Sequence, residues 1–218
     1  MDRRGLEWRG WEWKGRGAQA HNNKRKGKTM ETMKVKMVGL VDMLQHNVQL
    51  ANPMSEATIL LKAATKKGGN NKKPENYEEM ARCEFMGGLY MNAGKYIIPQ
   101  EQIEMMLACV CWDNFKISKA SAVSCIEVNK PFILTSYDGP DDPEKRFGDP
   151  NCMDQRMVVV QKKKILRTRP RFSNWIAEGE VNFTQPMDDE KIKIAFEVAG
   201  QKGVGDYRPK FGRFVVEF

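Results

Sequence analysis

The order of apolar patterns along the chain is the feature that most constrains its fold. Apolar residues recur at helical spacing in residues 77–90, 99–115 and 187–200, and residues 55–62 have the composition of a further short helix. Segments typical of strands lie between and around these helices. They are residues 34–41, 95–98, 123–128, 132–134, 156–169, 175–183 and 212–218. Because the helices are too few to separate every strand, the order predicts an α+β fold with an antiparallel sheet and helices on one face.

The basic charge of the chain is concentrated at its N-terminus. Residues 1–29 hold nine basic and three acidic residues, which is +6 of the formal net charge of +8. They lack helical or strand periodicity and carry five glycines, so we predict a disordered basic extension followed by one domain over residues 30–218. The extension is either a nucleic-acid-binding tail or upstream sequence read from an early start codon. Met30 and Met33 lie directly before the first strand and favour the second interpretation.

Composition argues against several classes of protein. The longest apolar runs have only a few residues, far short of the roughly 20 that a membrane-spanning helix needs. The first residues lack the apolar stretch of a secretory signal, so we expect a cytoplasmic protein without a membrane partner. None of the five cysteines has C-x-x-C spacing and the chain has only two histidines, so we predict reduced core thiols, no metal and no cofactor.

The segment most informative about function joins the last helix to the last strand. Gly200, Gly203 and Gly205 permit positive φ angles, which would let backbone N–H groups converge on an anion. The same stretch carries four cations, so the segment predicts a phosphate ligand. The cations are Lys202, Arg208, Lys210 and Arg213. The alternative is a glycine-rich turn that only ends the helix and begins the strand.

A second basic segment, residues 155–177, contains no Asp or Glu. Because alternate side chains of a strand share a face, its spacing predicts a row of cations along a sugar-phosphate backbone. The row consists of Lys163, Arg167, Arg169 and Arg171. Phe172 and Trp175 would stack on bases at its end. The alternative is that the cations protect an edge strand and both aromatic residues lie in the core.

The end of the chain resembles the RAMP superfamily, the repeat-associated RNA-binding proteins of CRISPR systems. The resemblance rests on a final helix, Gly203-x-Gly205, a short spacer, Gly212 and the apolar strand of residues 214–216. A single Gly212 stands where many members have a second glycine pair. The resemblance implies a ferredoxin-like (RRM-like) core with insertions, binding of RNA or single-stranded nucleic acid, and self-assembly of copies along the strand.

Other residues resemble an uncharacterised group of proteins encoded by phages and prophages. They are Asp206-Tyr207-Arg208-Pro209, Arg167-Thr168-Arg169-Pro170 and Trp175. This resemblance implies the cytoplasm of a bacterial host cell.

A histidine after the first strand often serves as general acid or base in RAMP-type ribonucleases, and the resemblance implies that role for His46. No spacing supports a catalytic partner for it, and a lone histidine beside an asparagine is more often a structural hydrogen-bonding residue. We therefore predict a non-catalytic protein that binds RNA or single-stranded nucleic acid. One alternative is a metal-independent endoribonuclease that uses His46. Another is a phage structural or assembly protein whose cationic surface meets an acidic protein.

Overall fold

A computed structural model describes residues 30–69, 71–160 and 162–218, apart from the side chains of residues 160 and 163. The extension predicted for residues 1–29 lies outside this part. The chain is α+β. Its strands are β1 (Glu31–Gly39), β2 (Met43–Leu44), β3 (Met91–Asn92), β4 (Lys95–Ile98), β5 (Ile126–Glu127), β6 (Phe132–Ser136), β7 (Met153–Val160), β8 (Lys163–Phe172), β9 (Ile176–Phe183) and β10 (Phe214–Glu217). Its helices are α1 (Glu56–Lys66), α2 (Pro74–Gly88), α3 (Gln100–Phe115), α4 (Lys119–Val123), α5 (Pro143–Phe147) and α6 (Asp189–Lys202), with short 3₁₀ turns at Val48–Ala51 and Pro150–Cys152.

The described strands form two antiparallel sheets. The larger sheet has the order β10-β1-β9-β6-β4-β3, with β5 also paired to β9. The smaller sheet has the order β2-β8-β7. The antiparallel α+β architecture predicted from the sequence is therefore confirmed. The single strand predicted for residues 156–169 is corrected, because this stretch belongs to two strands, β7 and β8, which pair antiparallel over their length.

The ends of the two long helices follow from local chemistry. Pro99 stands at the N-cap of α3, and Lys116 ends that helix in the left-handed conformation. The Asp188 carboxylate caps α6 by accepting from the Lys191 N–H at 2.9 Å, and Gly203 ends α6 with a φ of 80°. Both helices lie within two residues of their predicted positions, because the same residues mark their ends in the sequence.

The large sheet has one buried and one open face. Val35 and Met37 of β1 are buried with apolar residues of α3 and α6, whereas Lys34 and Lys36 lie on the opposite face. Gly179 of β9 belongs to the buried face. A Cβ atom at position 179 would lie 2.1 Å from the ring of Phe132, so glycine leaves room for that ring to stack on Phe196 of α6. The core therefore lies between this face and the two helices.

Residues 137–154 are rich in Asp, Pro and Gly, a composition that predicts a solvated polar loop, and the structure corrects this prediction. The segment contains α5, and Arg146 of that helix is fully buried. The Arg146 guanidinium lies 4.1 Å from the ring centroid of Phe172, and Tyr96 and Tyr137 also surround it. It donates to the carbonyl oxygens of Pro140 (3.2 Å) and Arg171 (2.8 Å). The segment is thereby attached to the end of β8.

Within the part of the chain that the structure describes, no helix combines the length and the apolar character needed to cross a membrane.

Candidate nucleic-acid interface

The predicted row of arginines exists on the hairpin of β7 and β8, and we call it the arginine ladder. The register of the hairpin places Arg156 of β7 opposite Arg167 of β8, and Arg169 and Arg171 follow on the same face. Each guanidinium is paired with a carboxylate. The pairs are Arg156–Asp154, Arg167–Glu84, Arg169–Asp206 and Arg171–Asp42. The four arginines of the ladder and their four carboxylate partners therefore have formal charges that cancel. The side chain of Lys163, the fourth predicted member, lies outside the described residues.

Glu84 of α2 is the most buried of the carboxylates that pair with the ladder, with 5% of its surface exposed. Its Oε1 accepts from Nη1 of Arg167 at 2.7 Å, and its Oε2 accepts from the backbone N–H of Thr168 at 2.9 Å. The carboxylate thus satisfies one guanidinium and one backbone donor of β8. A buried carboxylate with two donors is a structural element of the fold.

The glycine-rich segment, residues 203–213, is called the cationic loop. Four of its amides, those of Gly203 and Gly212 among them, are not free to converge on an anion as predicted, because they donate within the chain. Gly203 N–H donates to Ala199, Val204 N–H to Gly212, Asp206 N–H to Leu44 and Gly212 N–H to Asp42, at 2.8 to 2.9 Å. The loop forms a β-bridge between Asp206 and Leu44, which fixes it beside β2.

The glycines of this loop serve close backbone packing. A Cβ atom on Gly212 would lie 1.8 Å from the carbonyl oxygen of Val204, and one on Gly205 would lie 2.4 Å from that of Leu44. Gly203, Gly205 and Gly212 all have φ between 75° and 81°. The predicted role of Gly203 and Gly212 as phosphate ligands is therefore corrected to a role in shaping the loop, and the close packing of Gly205 against Leu44 gives that glycine a shaping role as well.

The side chains of the cationic loop differ from those of the ladder. Arg208, Lys210 and Arg213 are exposed, and none of them has an ion pair with another described residue. The nearby Lys202, at the end of α6, is paired with Asp113, whose Oδ2 lies 2.5 Å from its Nζ. The loop therefore presents three cations whose charge no neighbouring carboxylate cancels.

Tyr207 joins the two regions. The residue is 43% exposed, and the guanidinium carbons of Arg156 and Arg169 lie 4.8 and 5.8 Å from the centroid of its ring. Arg156 also lies 4.7 Å from the ring centroid of Phe211. The sequence reasoning did not assign Tyr207 to the site, although its position between Gly205 and Arg208 in a basic segment was a usable signal.

Trp175 and Phe172 do not lie on the surface, so the predicted stacking of bases on them is wrong. Both are fully buried. The indole N–H of Trp175 donates to the Val41 carbonyl at 2.9 Å, and the Phe172 ring packs against Tyr96 at 5.1 Å. Both side chains belong to the core, Phe172 from the end of β8 and Trp175 from the connection that precedes β9.

His46 lies just after β2, near the ladder. Burial lowers the pKa of its imidazole; Arg169 and Arg167 act in the same direction, while Asp206 and Glu84 oppose it. The ring donates no hydrogen bond to any other described residue and accepts none. The histidine is therefore held neutral near pH 7, between the arginine ladder and the cationic loop.

Among the described residues, no group of three or more His, Cys, Asp or Glu side chains is placed to hold a metal ion. The five cysteines are free thiols. Neither a scan against protein-family models nor a search of the curated proteins found a match to this chain.

Proposed function

We propose that the protein binds RNA or single-stranded nucleic acid through the cationic loop. The observation that carries the proposal is the set of three exposed cations without carboxylate partners, Arg208, Lys210 and Arg213, beside the exposed ring of Tyr207. Cations that are free of counter-charges bind phosphates, and an exposed aromatic ring stacks on an unpaired base. Both requirements of single-strand binding meet in one loop.

The strand order supports a ferredoxin-like core of the kind that the RAMP resemblance implies. In the order β10-β1-β9-β6, β9 lies between β1 and β6, and β1 lies between β10 and β9. The chain passes through α3 between β1 and β6, and through α6 between β9 and β10. Each unit is a split β-α-β arrangement, which is the building block of the ferredoxin-like fold. The remaining strands and the second sheet are insertions in this proposal.

Binding is expected at the loop, not on the open face of the large sheet. RRM domains stack bases on aromatic side chains of their sheet. The central positions of the open face here carry charges of both signs, from Lys34, Lys36, Glu178 and Glu180. Opposite charges at close range give no net attraction for a polyanion. The proposal therefore assigns the phosphate contacts to the connection between α6 and β10.

The test is the salt dependence of binding to labelled single-stranded RNA and DNA, measured by fluorescence anisotropy. For the parent, the logarithm of affinity should fall linearly with the logarithm of salt concentration. Arg208→Ala should weaken binding at every sequence and reduce the slope by about 1. Lys95→Ala, an exposed lysine on β4, is the matched control and should leave the slope unchanged. A parent that binds neither polymer at low salt, or equal effects of the two variants, would contradict the proposal.

The environment of His46 favours a second candidate function, metal-independent cleavage of RNA. A neutral imidazole can take the proton of a 2′-hydroxyl, whose oxygen then attacks the adjacent phosphorus. The P–O5′ bond breaks, the 5′-oxygen leaves with a proton from water, and a 2′,3′-cyclic phosphate remains. Incubation of the parent with RNA in EDTA should yield fragments, and DNA of the same sequence should stay intact. His46→Ala should abolish the cleavage and retain binding. Intact RNA after incubation with the parent would exclude this candidate and leave the binding proposal in place.

A further inference from the structure

We propose that a pocket between α3 and the cationic loop holds one base of the bound single strand, while Arg208 holds the adjoining phosphate. The pocket, which we call the α3 pocket, has a volume of about 340 Å³. It lies where Val204 and Arg208 of the loop meet Met105, Met106 and Cys109 of α3. The inference rests on the proposed nucleic-acid function and deepens it, because it adds a base-binding site to the phosphate contacts of the loop.

The lining of the α3 pocket suits a flat aromatic ligand. Three of its lining residues, Met105, Met106 and Cys109, carry sulfur, and Val204 adds an aliphatic side chain. Sulfur atoms are polarisable and make favourable contacts with aromatic rings. Met106 and Val204 are buried, whereas Met105 is 52% exposed, so part of this apolar lining is open to water. A base that enters the pocket would cover it.

Polar groups stand beside the apolar lining. Glu101 and Gln102, in the first turn of α3, also line the pocket, and neither side chain hydrogen-bonds to another described residue. The Gln102 amide offers donors and an acceptor, and the Glu101 carboxylate accepts. These groups can bind the polar edge of a base while the sulfur-bearing side chains contact its faces. A mainly apolar lining with a few polar groups is the usual composition of a small-molecule site.

Arg208 stands between the α3 pocket and a second pocket. The second one has a volume of about 540 Å³ and includes Tyr207, and the two pockets share Lys202, Gly205 and Arg208. Within the described part of the chain, the Arg208 guanidinium makes a single long hydrogen bond, to the Gly203 carbonyl at 3.5 Å. Its other donors are available to a phosphate. A phosphate on Arg208 therefore has Tyr207 on one side and the α3 pocket on the other.

This order matches the chemistry of a single strand. Each phosphate joins two nucleotides, so the base on Tyr207 and the base in the α3 pocket can belong to the nucleotides on either side of one phosphate. A nucleotide fills the pocket and neutralises Arg208 together, since arginine pairs closely with phosphate. An apolar peptide side chain in the same pocket would leave the guanidinium without a counter-charge. The continuity with the cationic loop thus favours a base as the occupant.

The first test compares labelled single-stranded RNA with an abasic strand of the same length, which keeps the sugar-phosphate backbone and lacks the bases. The parent should bind RNA at least about tenfold more tightly than the abasic strand. Cys109→Phe fills the pocket with a ring of its own, so it should weaken the binding of RNA about fivefold and leave the affinity for the abasic strand unchanged. Cys83→Phe, at the other half-buried thiol, is the matched control and should change neither affinity.

The second test uses the parent chain and needs no substitution. The thiols are alkylated with a neutral reagent, and the rate at each cysteine is read by mass spectrometry. Saturating RNA should slow the alkylation of Cys109 at least about fivefold and leave the rate at Cys83 unchanged. The abasic strand brings the same phosphates without bases, so it should protect Cys109 less than RNA does.

The outcomes separate this inference from the function on which it rests. If the parent binds RNA and the abasic strand equally, or if RNA leaves Cys109 unprotected, the base site is overturned and binding by the cationic loop still stands. An equal loss of both affinities in Cys109→Phe, with the fold checked by circular dichroism, would also overturn it. Protection of Cys109 that grows with protein concentration without RNA would assign the pocket to a second copy of the chain. A parent that binds neither ligand at low salt would overturn both proposals.

Discussion

The arginine ladder and the cationic loop contain similar side chains in contact with one another, yet they differ in what neutralises them. Every arginine of the ladder has a carboxylate partner, while Arg208 and Arg213 of the loop have none among the described residues. A phosphate that approaches the ladder must displace a bound carboxylate, whereas a phosphate that approaches the loop displaces only water and salt ions. The number of arginines in a segment therefore says less about binding than the number of their partners.

The largest effect is expected for Glu84→Gln, which removes the charge of the most buried carboxylate of the ladder. Arg167 would then keep its charge without a counter-ion, and breaking a buried pair in this way costs about 3 kcal/mol. The free energy of unfolding, measured with urea, should fall by this amount. Affinity for single-stranded RNA should stay at the parent value, because the loop is unchanged.

The control for this prediction is Glu144→Gln, which removes the partner of Arg82 in an exposed ion pair. Exposed pairs contribute roughly 0 to 1 kcal/mol, so this variant should be close to the parent. Equal losses of stability in the two variants would contradict the distinction between buried and exposed pairs.

The second-largest effect on the free energy of unfolding is expected for Arg169→Met, which keeps much of the buried stem and removes the guanidinium. Asp206 would lose its partner and Tyr207 one of its two cationic neighbours. We expect a loss of about 2 kcal/mol in the free energy of unfolding, because one member of a partly buried pair is left alone. Arg208→Ala should show the reverse pattern, with weaker binding of RNA and little change in unfolding. If Arg169→Met weakens binding more than Arg208→Ala does at equal folded fraction, the ladder itself contacts phosphate.

A smaller effect is expected for Tyr207→Ala, and it should appear in binding. Loss of a stacking platform costs about 1 to 3 kcal/mol for each base. Affinity for a single-stranded oligonucleotide should fall without a change in the salt slope, because no cation is removed. Tyr77→Ala, at another half-exposed tyrosine, is the matched control. An unchanged affinity in Tyr207→Ala would favour a loop that recognises charge alone, as an acidic protein partner would require.

The smallest effect concerns pH and His46. Burial lowers the pKa of His46 in the folded chain below the ordinary histidine pKa of about 6.5. Just below pH 6.5 the unfolded chain therefore binds protons more readily than the folded chain does. The stabilising contribution of neutral His46 is complete above that value and is lost as the pH falls through the lower, folded value. Urea midpoints between about pH 8 and pH 5 should therefore decline more for the parent than for His46→Gln. Parallel declines would show that His46 titrates normally.

The sequence predicted the row of arginines, and the partners of that row could not be predicted. Alternating positions in a strand share a face whatever the tertiary structure, so the spacing of Arg167, Arg169 and Arg171 was sufficient. Their carboxylates come from residues 83, 37 and 129 positions away along the chain. A segment without acidic residues appears basic in the sequence, but folding brings the anions from other elements.

The fold was predictable where chemistry marks the ends of its elements. Pro99 and Asp188 begin the two helices that cover the sheet, and both helices were found. The short helices α4 and α5 carry too few residues for a periodic pattern, so neither was predicted, although β5 does lie within the strand predicted for residues 123–128. Burial of Trp175 and Phe172 depends on which sheet each strand joins, and local sequence does not specify that.

Arg146 has a consequence for how the molecule opens. Its guanidinium donates at once to Pro140, in the segment after β6, and to Arg171, in β8. Neither part of the chain can separate without exposing the three surrounding aromatic rings and leaving a buried cation with lost acceptors. Local unfolding of the segment and fraying of β8 should thus be one cooperative event, in which the amide protons of both exchange with solvent deuterium at a common rate.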